Sequence, residues 1–261
     1  MKITLDEAAK IIGDAQTIIL TSHIRPDGDS IGSTLGLMHY LRAQGKDARV
    51  LIDDDLPRIF KVLPGLEMIE RPAEGVRYTA DLLIVCDVEL KRTGNVVSSV
   101  DAVRVLNIDH HVTNDEEAEY LYLNPDYAAT CEIMHDLIGA MGGTFSLDVA
   151  TCLYTGMATD TGFFRFSNTT PHTMRAAADL IEVGVKPNII SVAMELKSYD
   201  EVMAQVRAIR NLEMFHDGMV AAVFIDEEKA KEVTTTEGLL DKLRVIEGTQ
   251  VVFFMKWLEK N

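Results

Sequence analysis

The 261-residue chain contains no run of about 18 apolar residues, the minimum for a membrane-spanning helix, so no membrane partner is expected. Met1 to Glu7 carries acids at positions 6 and 7 and lacks the apolar stretch of a secretory signal, which points to the cytoplasm. Cysteine is scarce. Cys86, Cys131 and Cys152 form no CxxC pair and fall inside apolar segments, as expected for buried thiols in a reducing compartment rather than disulfides or a structural zinc site. Basic residues are also few, with 25 Lys and Arg against 41 Asp and Glu, for a net charge of -16. That balance excludes broad electrostatic capture of long duplex nucleic acid, which needs cations to displace counterions from phosphate. A short anionic substrate is still admitted, because bound divalent ions would reverse the field locally. The chain shows no internal repeat and no low-complexity tract.

The apolar content of 47% supports a core large enough for one large domain, or one medium and one small. From 17 to 111 apolar strands alternate with helical stretches: strands near 17–22, 48–52, 81–86 and 103–108, and a helix near 29–44 that stops at Gly45. This alternation predicts an α/β fold, a parallel sheet with flanking helices. Beyond 111 the pattern is helical, near 128–141, 148–158 and 171–182, with Pro171 suited to a first turn. Residues 188–213 read as a linker helix. Alternation then restarts with a strand at 219–225, a helix from Glu227, a short helix near 239–243 and a strand at 251–257, too little core for a complete independent domain. The expected organisation is a catalytic domain over 1–187, the linker helix over 188–213, and a smaller, partial α/β substrate-binding domain over 214–261.

Acidic and histidine clusters stand where strands end. His23, Asp27 and Asp29 follow the apolar run at 17–20; Asp87 follows 82–86; Asp109, His110 and His111 follow 103–108; Asp160 comes later, in a helical region. If the strands are parallel, the first three clusters meet at one carboxyl edge, where open α/β sheets bind ligands. Two ions that share a bridging carboxylate sit about 3.5 to 4 Å apart and can activate water for hydrolysis. Asp87, alone at its strand end, is the bridging candidate. His110 and Asp160 complete the shell of the second ion. Mixed imidazole and carboxylate ligands without thiolate suit Mn²⁺, Co²⁺, Fe²⁺ or Zn²⁺ better than Ca²⁺; the expected cofactor is two divalent ions, Mn²⁺ first, with Co²⁺, Fe²⁺, Zn²⁺ or Mg²⁺ also admitted.

The ordered segments HxxxDxD from His23, Cys86-Asp87, Asn107-Ile108-Asp109-His110-His111 and Thr159-Asp160-Thr161-Gly162-Phe163-Phe164-Arg165 resemble the motifs of the DHH phosphoesterase superfamily, across roughly residues 15–215. Within it the chain looks most like the branch of oligoribonucleases and 3'-phosphoadenosine-5'-phosphate (PAP) phosphatases. By position, the resemblance implies that His23, Asp27 and Asp87 hold one metal and that Asp29, Asp87, His110 and Asp160 hold the other. It places His111 at the scissile phosphate as hydrogen-bond donor or proton source and has Asp109 orient the neighbouring histidine. Arg92 and Arg165, just beyond ligand motifs, are candidates for gripping phosphate through paired hydrogen bonds. The branch also carries a glycine-rich GGGH motif that binds the nucleotide end of the substrate; no GGG run or later His occurs up to Asn261, so either the sequence is a shortened piece or the clamp is absent.

Other polar residues have simpler accounts. His39, His135, His172 and His216 sit without partner ligands and read as packing or exposed, Cys86 as filler of a buried strand face, and Asp53-Asp54-Asp55 as a capped, solvated strand end. The expected activity is hydrolysis of a phosphate ester in a short oligonucleotide or nucleoside bisphosphate through a two-metal-activated water, with a homodimer admitted. The alternatives are an inorganic pyrophosphatase or exopolyphosphatase, for which 214–261 offers no basic clamp, and a non-catalytic nucleotide-binding module, against which every ligand position is intact.

Overall fold

The computed structural model describes residues 1–226 and 238–257. It divides into two compact units, Met1–Glu195 and Leu196–Asn261. The helix expected from Glu227 lies outside the described residues.

In the first unit, helix α1 (Leu5–Asp14) begins at a capping box in which Thr4 and Glu7 satisfy each other's backbone N–H groups. Strand β1 (Thr17–Thr21), helix α2 (Gly28–Ala43), strands β2 (Asp47–Leu51), β3 (Ile69–Glu70) and β4 (Tyr78–Cys86), the short α3 (Val96–Ser99), and strands β5 (Val100–Asp109) and β6 (Tyr120–Leu123) follow. The strands form one sheet in the order β3-β2-β1-β4-β5-β6, with every pairing parallel. The period-2 alternation of strand side chains splits their apolar residues between two cores. Ile18, Leu20, Leu82, Ile84 and Cys86 join the larger cluster, while Ile19, Leu83 and Val85 join Val96 and Val100 in a smaller one on the opposite face. The larger core is completed by α2, α4 (Thr130–Ala140), α5 (Leu147–Asp160) and α6 (Pro171–Val183).

This strand order has a functional consequence. From β1 the chain steps one way to β2 and β3 and the other way to β4, so order reverses between β1 and β4. A crevice opens at such a switch point beyond the carboxyl ends of the strands. The loop after β1, the residue after β4 and the end of β5 all face it.

Helix α2 is buried over nearly its whole length, and it packs most closely against α5. Glycine permits the approach. A Cβ on Gly32 would stand 2.5 Å from the Cys152 carbonyl, and one on Gly156 would collide with Cys131 Sγ and come within 2.9 Å of Asp29 Oδ1. Without these two hydrogens in place of methyl groups, α5 could not carry Asp160 alongside Asp29.

The stretch expected to be one linker helix, 188–213, is instead three elements: α7 (Pro187–Glu195), α8 (Tyr199–Ile209) and the start of strand β7 (Leu212–Phe215). The physical reason is a new helix start at Ser198, whose hydroxyl accepts Glu201 N–H while the Glu201 carboxylate accepts Ser198 N–H. In the second unit α8 contributes Ala204 and Ala208 to a core with Val223 and Ile225 of β8 (Val220–Ile225) and Leu239 and Leu243 of α9 (Leu239–Arg244). Strand β8 pairs antiparallel with β7 and parallel with β9 (Val251–Lys256). Among the described residues, no helix is long and apolar enough to cross a membrane.

Candidate metal centre

The loop after β1 presents its ligands through a turn tied at three points. Ile24 N–H donates to the Arg92 carbonyl at 2.9 Å, and Arg25, with a left-handed φ of 58°, donates its N–H to Asp54 at 2.8 Å. Asp27 then caps α2, its Oδ1 accepting Ser30 N–H at 2.9 Å. Its other oxygen lies 3.6 Å from His23 Nε2. The Asp53 to Asp55 segment thus does more than end a strand: Asp54 pins this loop, and Asp53 accepts both the backbone and side-chain N–H of Asn95.

Asp87 follows β4 at a φ of 66°, a left-handed conformation that Asp tolerates better than most residues. Its carboxylate is buried and central: Oδ2 lies 3.5 Å from His23 Nε2, and Oδ1 lies 3.5 Å from His110 Nε2 and 3.6 Å from His111 Nδ1. His110 Nε2 is also 3.8 Å from Asp29 and 3.5 Å from Asp160. Three groups of metal-ligating atoms therefore converge: His23, Asp27 and Asp87; Asp29, His110 and Asp160; and Asp87, His110 and His111.

Both imidazoles are turned the same way by their other nitrogen. His23 Nδ1 faces the Ile24 carbonyl at 2.9 Å and His110 Nδ1 faces that of Tyr127 at 3.2 Å. A carbonyl only accepts, so each Nδ1 carries the proton and each Nε2 points into the carboxylates, the arrangement of a ligating histidine. His110 Nε2 is buried with no hydrogen-bond partner. An orphaned imidazole nitrogen among three carboxylates is what a divalent cation would satisfy, and the donor set fits one.

Electrostatics point the same way. Burial and then the neighbouring Asp29 raise the Asp87 carboxyl well above its ordinary range, and burial with Asp29 and Asp27 pushes Asp160 up to about 9. Burial works to lower His23, but the Asp27 and Asp87 carboxylates prevail and push it up to about 10. The metal-free centre therefore retains protons where cations would sit.

Asp109 lies behind this layer. Its Oδ1 accepts the His110 and His111 N–H groups at 2.7 and 3.0 Å and His111 Nδ1 at 2.8 Å. The His111 Nδ1 proton is spent on this bond, and the ring is half-exposed. The bond to Asp109 raises the His111 pKa; burial opposes the ionised form of Asp109, but His111 and Asn114 hold its carboxyl low.

Several supporting residues escaped the sequence analysis. Asn114 Nδ2 donates to Asp109 Oδ2 at 2.6 Å and to Asn107 Oδ1 at 2.9 Å, while Asn107 Nδ2 donates to the Val85 and Val88 carbonyls. Asn107 stands inside the strand motif and was legible there; Asn114 has no pattern of its own. Thr130 gave no signal at all. It donates its N–H to Asp29 Oδ2 at 2.6 Å and its hydroxyl to Asp87 Oδ1 at 3.0 Å, and Cys131 N–H donates to Asp29 Oδ1 at 2.7 Å. The start of α4 thus holds two of the central carboxylates.

Among the described residues neither arginine pairs with a proposed metal ligand. Arg92 is exposed, with Glu89 at 4.0 Å, and Arg165 is exposed with its Nε donating to the Gly162 carbonyl at 2.6 Å. His135 and His172, expected to lack partners, are both paired. His172 reaches buried Glu132 at 2.7 Å and Asp136 at 3.2 Å, and His135 reaches Asp136 and Asp179 at 3.0 and 3.2 Å. The packing of α4 against α6 joins residues about 40 positions apart, which no local pattern reveals.

Comparison with known proteins agrees with this geometry. The DHH family, N-terminal domain, matches residues 17–157. The chain is 34% identical over 94% of its length to the bifunctional oligoribonuclease and PAP phosphatase NrnA of Thermus thermophilus, covering 74% of that protein. It is 25% identical over 96% of its length to the NrnA of Bacillus subtilis, covering 81%. Among solved structures it is similar to an exopolyphosphatase-related protein from Bacteroides fragilis, with a TM-score of 0.85 and 26% identity over 94% of this chain and 77% of that one. By sequence match and by fold, the chain belongs to the DHH family of metal-dependent phosphoesterases, in the branch of the bifunctional oligoribonucleases and PAP phosphatases.

Proposed function

We propose that the chain hydrolyses phosphate esters of short oligoribonucleotides and of nucleoside 3',5'-bisphosphates, PAP among them. The observation that carries this reading is the meeting of two ligand groups, His23 with Asp27 and Asp87, and Asp29 with His110 and Asp160, which the buried Asp87 carboxylate joins by lying 3.5 Å from both His23 Nε2 and His110 Nε2. His23, Asp27 and Asp87 would hold one divalent ion, and Asp29, Asp87, His110 and Asp160 the other, with Mn²⁺ the expected metal. Two such ions supply, when bound, an activated water and neutralisation of the charge that builds on phosphate.

The chain's own residues do the rest. Asp109 fixes the His111 ring by its Nδ1 proton and favours the imidazolium, in which Nε2 also carries a proton and donates to the phosphate or the leaving oxygen. Arg92 and Arg165 grip non-bridging or neighbouring phosphate oxygens. Residues 1–187 carry catalysis and 188–213 lead into 214–261, which acts as part of a substrate-binding domain. The working form is cytoplasmic, with a homodimer as a candidate assembly. The test is turnover of the dinucleotide pApA and of PAP with Mn²⁺, before and after chelation, with tripolyphosphate as the competing substrate. Chelator-sensitive release of AMP supports the reading; release from tripolyphosphate alone overturns it.

A further inference from the structure

Directly after Asp160 the backbone does something costly. Gly162, Phe163 and Phe164 have φ of 56°, 58° and 63°, so three successive residues are left-handed and two of them carry a Cβ that disfavours it. Buried Thr161 organises the turn. Its carbonyl accepts the N–H groups of Arg165 and Phe166 at 2.9 and 3.0 Å, and its hydroxyl accepts Phe164 N–H at 3.0 Å while donating to the Met157 carbonyl at 2.6 Å. Phe163 and Phe164 are partly buried and pack against the main core, Phe164 with its ring 5.7 Å from that of Tyr154.

The next two side chains point outward. The Phe166 ring lies over Gly162, where any Cβ would collide with it, yet the residue is 47% exposed. Arg165 is anchored through Nε to the Gly162 carbonyl and, among the described residues, pairs with no carboxylate. In a chain of net charge -16 that is notable beside a centre rich in acids. The loop also returns to the centre, since Asn168 Nδ2 donates to the carbonyl of Asp160 at 3.1 Å and to that of Ala128 at 3.3 Å. Two residues of chain span at most about 7 Å, which tethers Phe166 to Asn168 and hence to the backbone of Asp160.

Single exposed apolar residues are ordinary. This one is fixed over a glycine by a strained turn, beside an arginine without an acid partner and tethered to a phosphoesterase centre. We infer that Phe166 is a stacking platform for the nucleobase of the substrate, with Arg165 holding a phosphate of the same nucleotide, so that the turn selects nucleotides over base-free phosphate esters. The inference deepens the reading under Proposed function and rests on it.

The test compares the 261-residue chain with Phe166→Ala and Phe166→Tyr on PAP and on its base-free ribose bisphosphate analogue, in Mn²⁺. Phe166→Ala should raise KM for PAP by roughly 5- to 150-fold, the range that base–aromatic stacking converts to, and the preference for the base-bearing substrate should collapse. Phe166→Tyr should restore both. An equal rise in both KM values in Phe166→Ala, a wild type that does not distinguish the substrates, or failure of Tyr to rescue overturns the platform. If the wild type hydrolyses neither compound, the functional reading itself fails. The platform is then judged by direct binding of the two compounds to wild type and Phe166→Ala, and equal binding by the two proteins rejects it.

Discussion

Replacing Thr130 by Val removes one hydroxyl from behind the central carboxylate and keeps the side chain's size. The Thr130 N–H bond to Asp29 is a backbone contact and survives. What is lost is the 3.0 Å bond from Oγ1 to Asp87 Oδ1. In the metal-free protein, burial and Asp29 favour the neutral form of Asp87 while the facing His23 opposes them, so the bond has less charge assistance there and at the neutral limit is worth about 1 kcal/mol. With cations bound Asp87 is ionised, and the same bond to a charged acceptor is worth about 1.5–3 kcal/mol. Metal binding therefore loses the difference, about 0.5–2 kcal/mol, or roughly 2- to 30-fold in affinity. That overlaps the 10- to 100-fold, roughly, seen when residues supporting a metal ligand are removed. Thr130→Ser keeps the hydroxyl and should bind metal like the wild type. The assay is calorimetric titration of Mn²⁺ into the three metal-free proteins at one pH, with thermal unfolding of each as a control on folding. Val indistinguishable from wild type, or Ser weakened as much as Val, would refute the reasoning.

Asp87→Ala should abolish turnover and remove most bound metal, because the proposed assignment has this carboxylate serve both ions, whereas Asp27→Ala should spare the second ion; near-normal metal content in Asp87→Ala means that the bridge is misassigned. His110→Ala should lower metal content, while His111→Ala should keep it and lose about 10² to 10⁴ in turnover, the range for a removed proton-transfer group; equal metal loss in both variants rejects the division. Metal binding should release protons. His23 and Asp160 are pushed up to about 10 and about 9 in the metal-free centre and so are protonated at neutral pH, and ligands must shed protons to bind. Affinity should accordingly rise as pH climbs toward those values and fall in acid; titrations in buffers of different ionisation heat that show no proton release contradict this.

The strand ends and the chemistry placed on them were legible in the sequence. Apolar runs stopping at His23, Asp87 and Asp109 and alternating with helical stretches predicted a parallel sheet, and a parallel sheet in turn brings those run ends to one carboxyl edge. Helix starts were equally local. The capping boxes at Thr4–Glu7 and Ser198–Glu201 are both written in the sequence, and the second separates α7 from α8, which helical patterning alone reads as one helix. The supporting contacts were of another kind. Thr130 meets Asp87 across 43 positions and Asp29 across 101, and His172 meets Glu132 across 40; such contacts exist only once helices pack against the sheet and one another. The left-handed turn at 162–164 has only its glycine as a local signal, since its two phenylalanines favour other conformations and are held there by Thr161 and the core. The candidate ligands are therefore readable along the chain, most of them just after strand ends, with Asp160 at the end of α5. Ligand geometry depends on how closely α5 approaches α2 across Gly32 and Gly156 and on which helix start faces Asp29, and tertiary packing alone decides those distances.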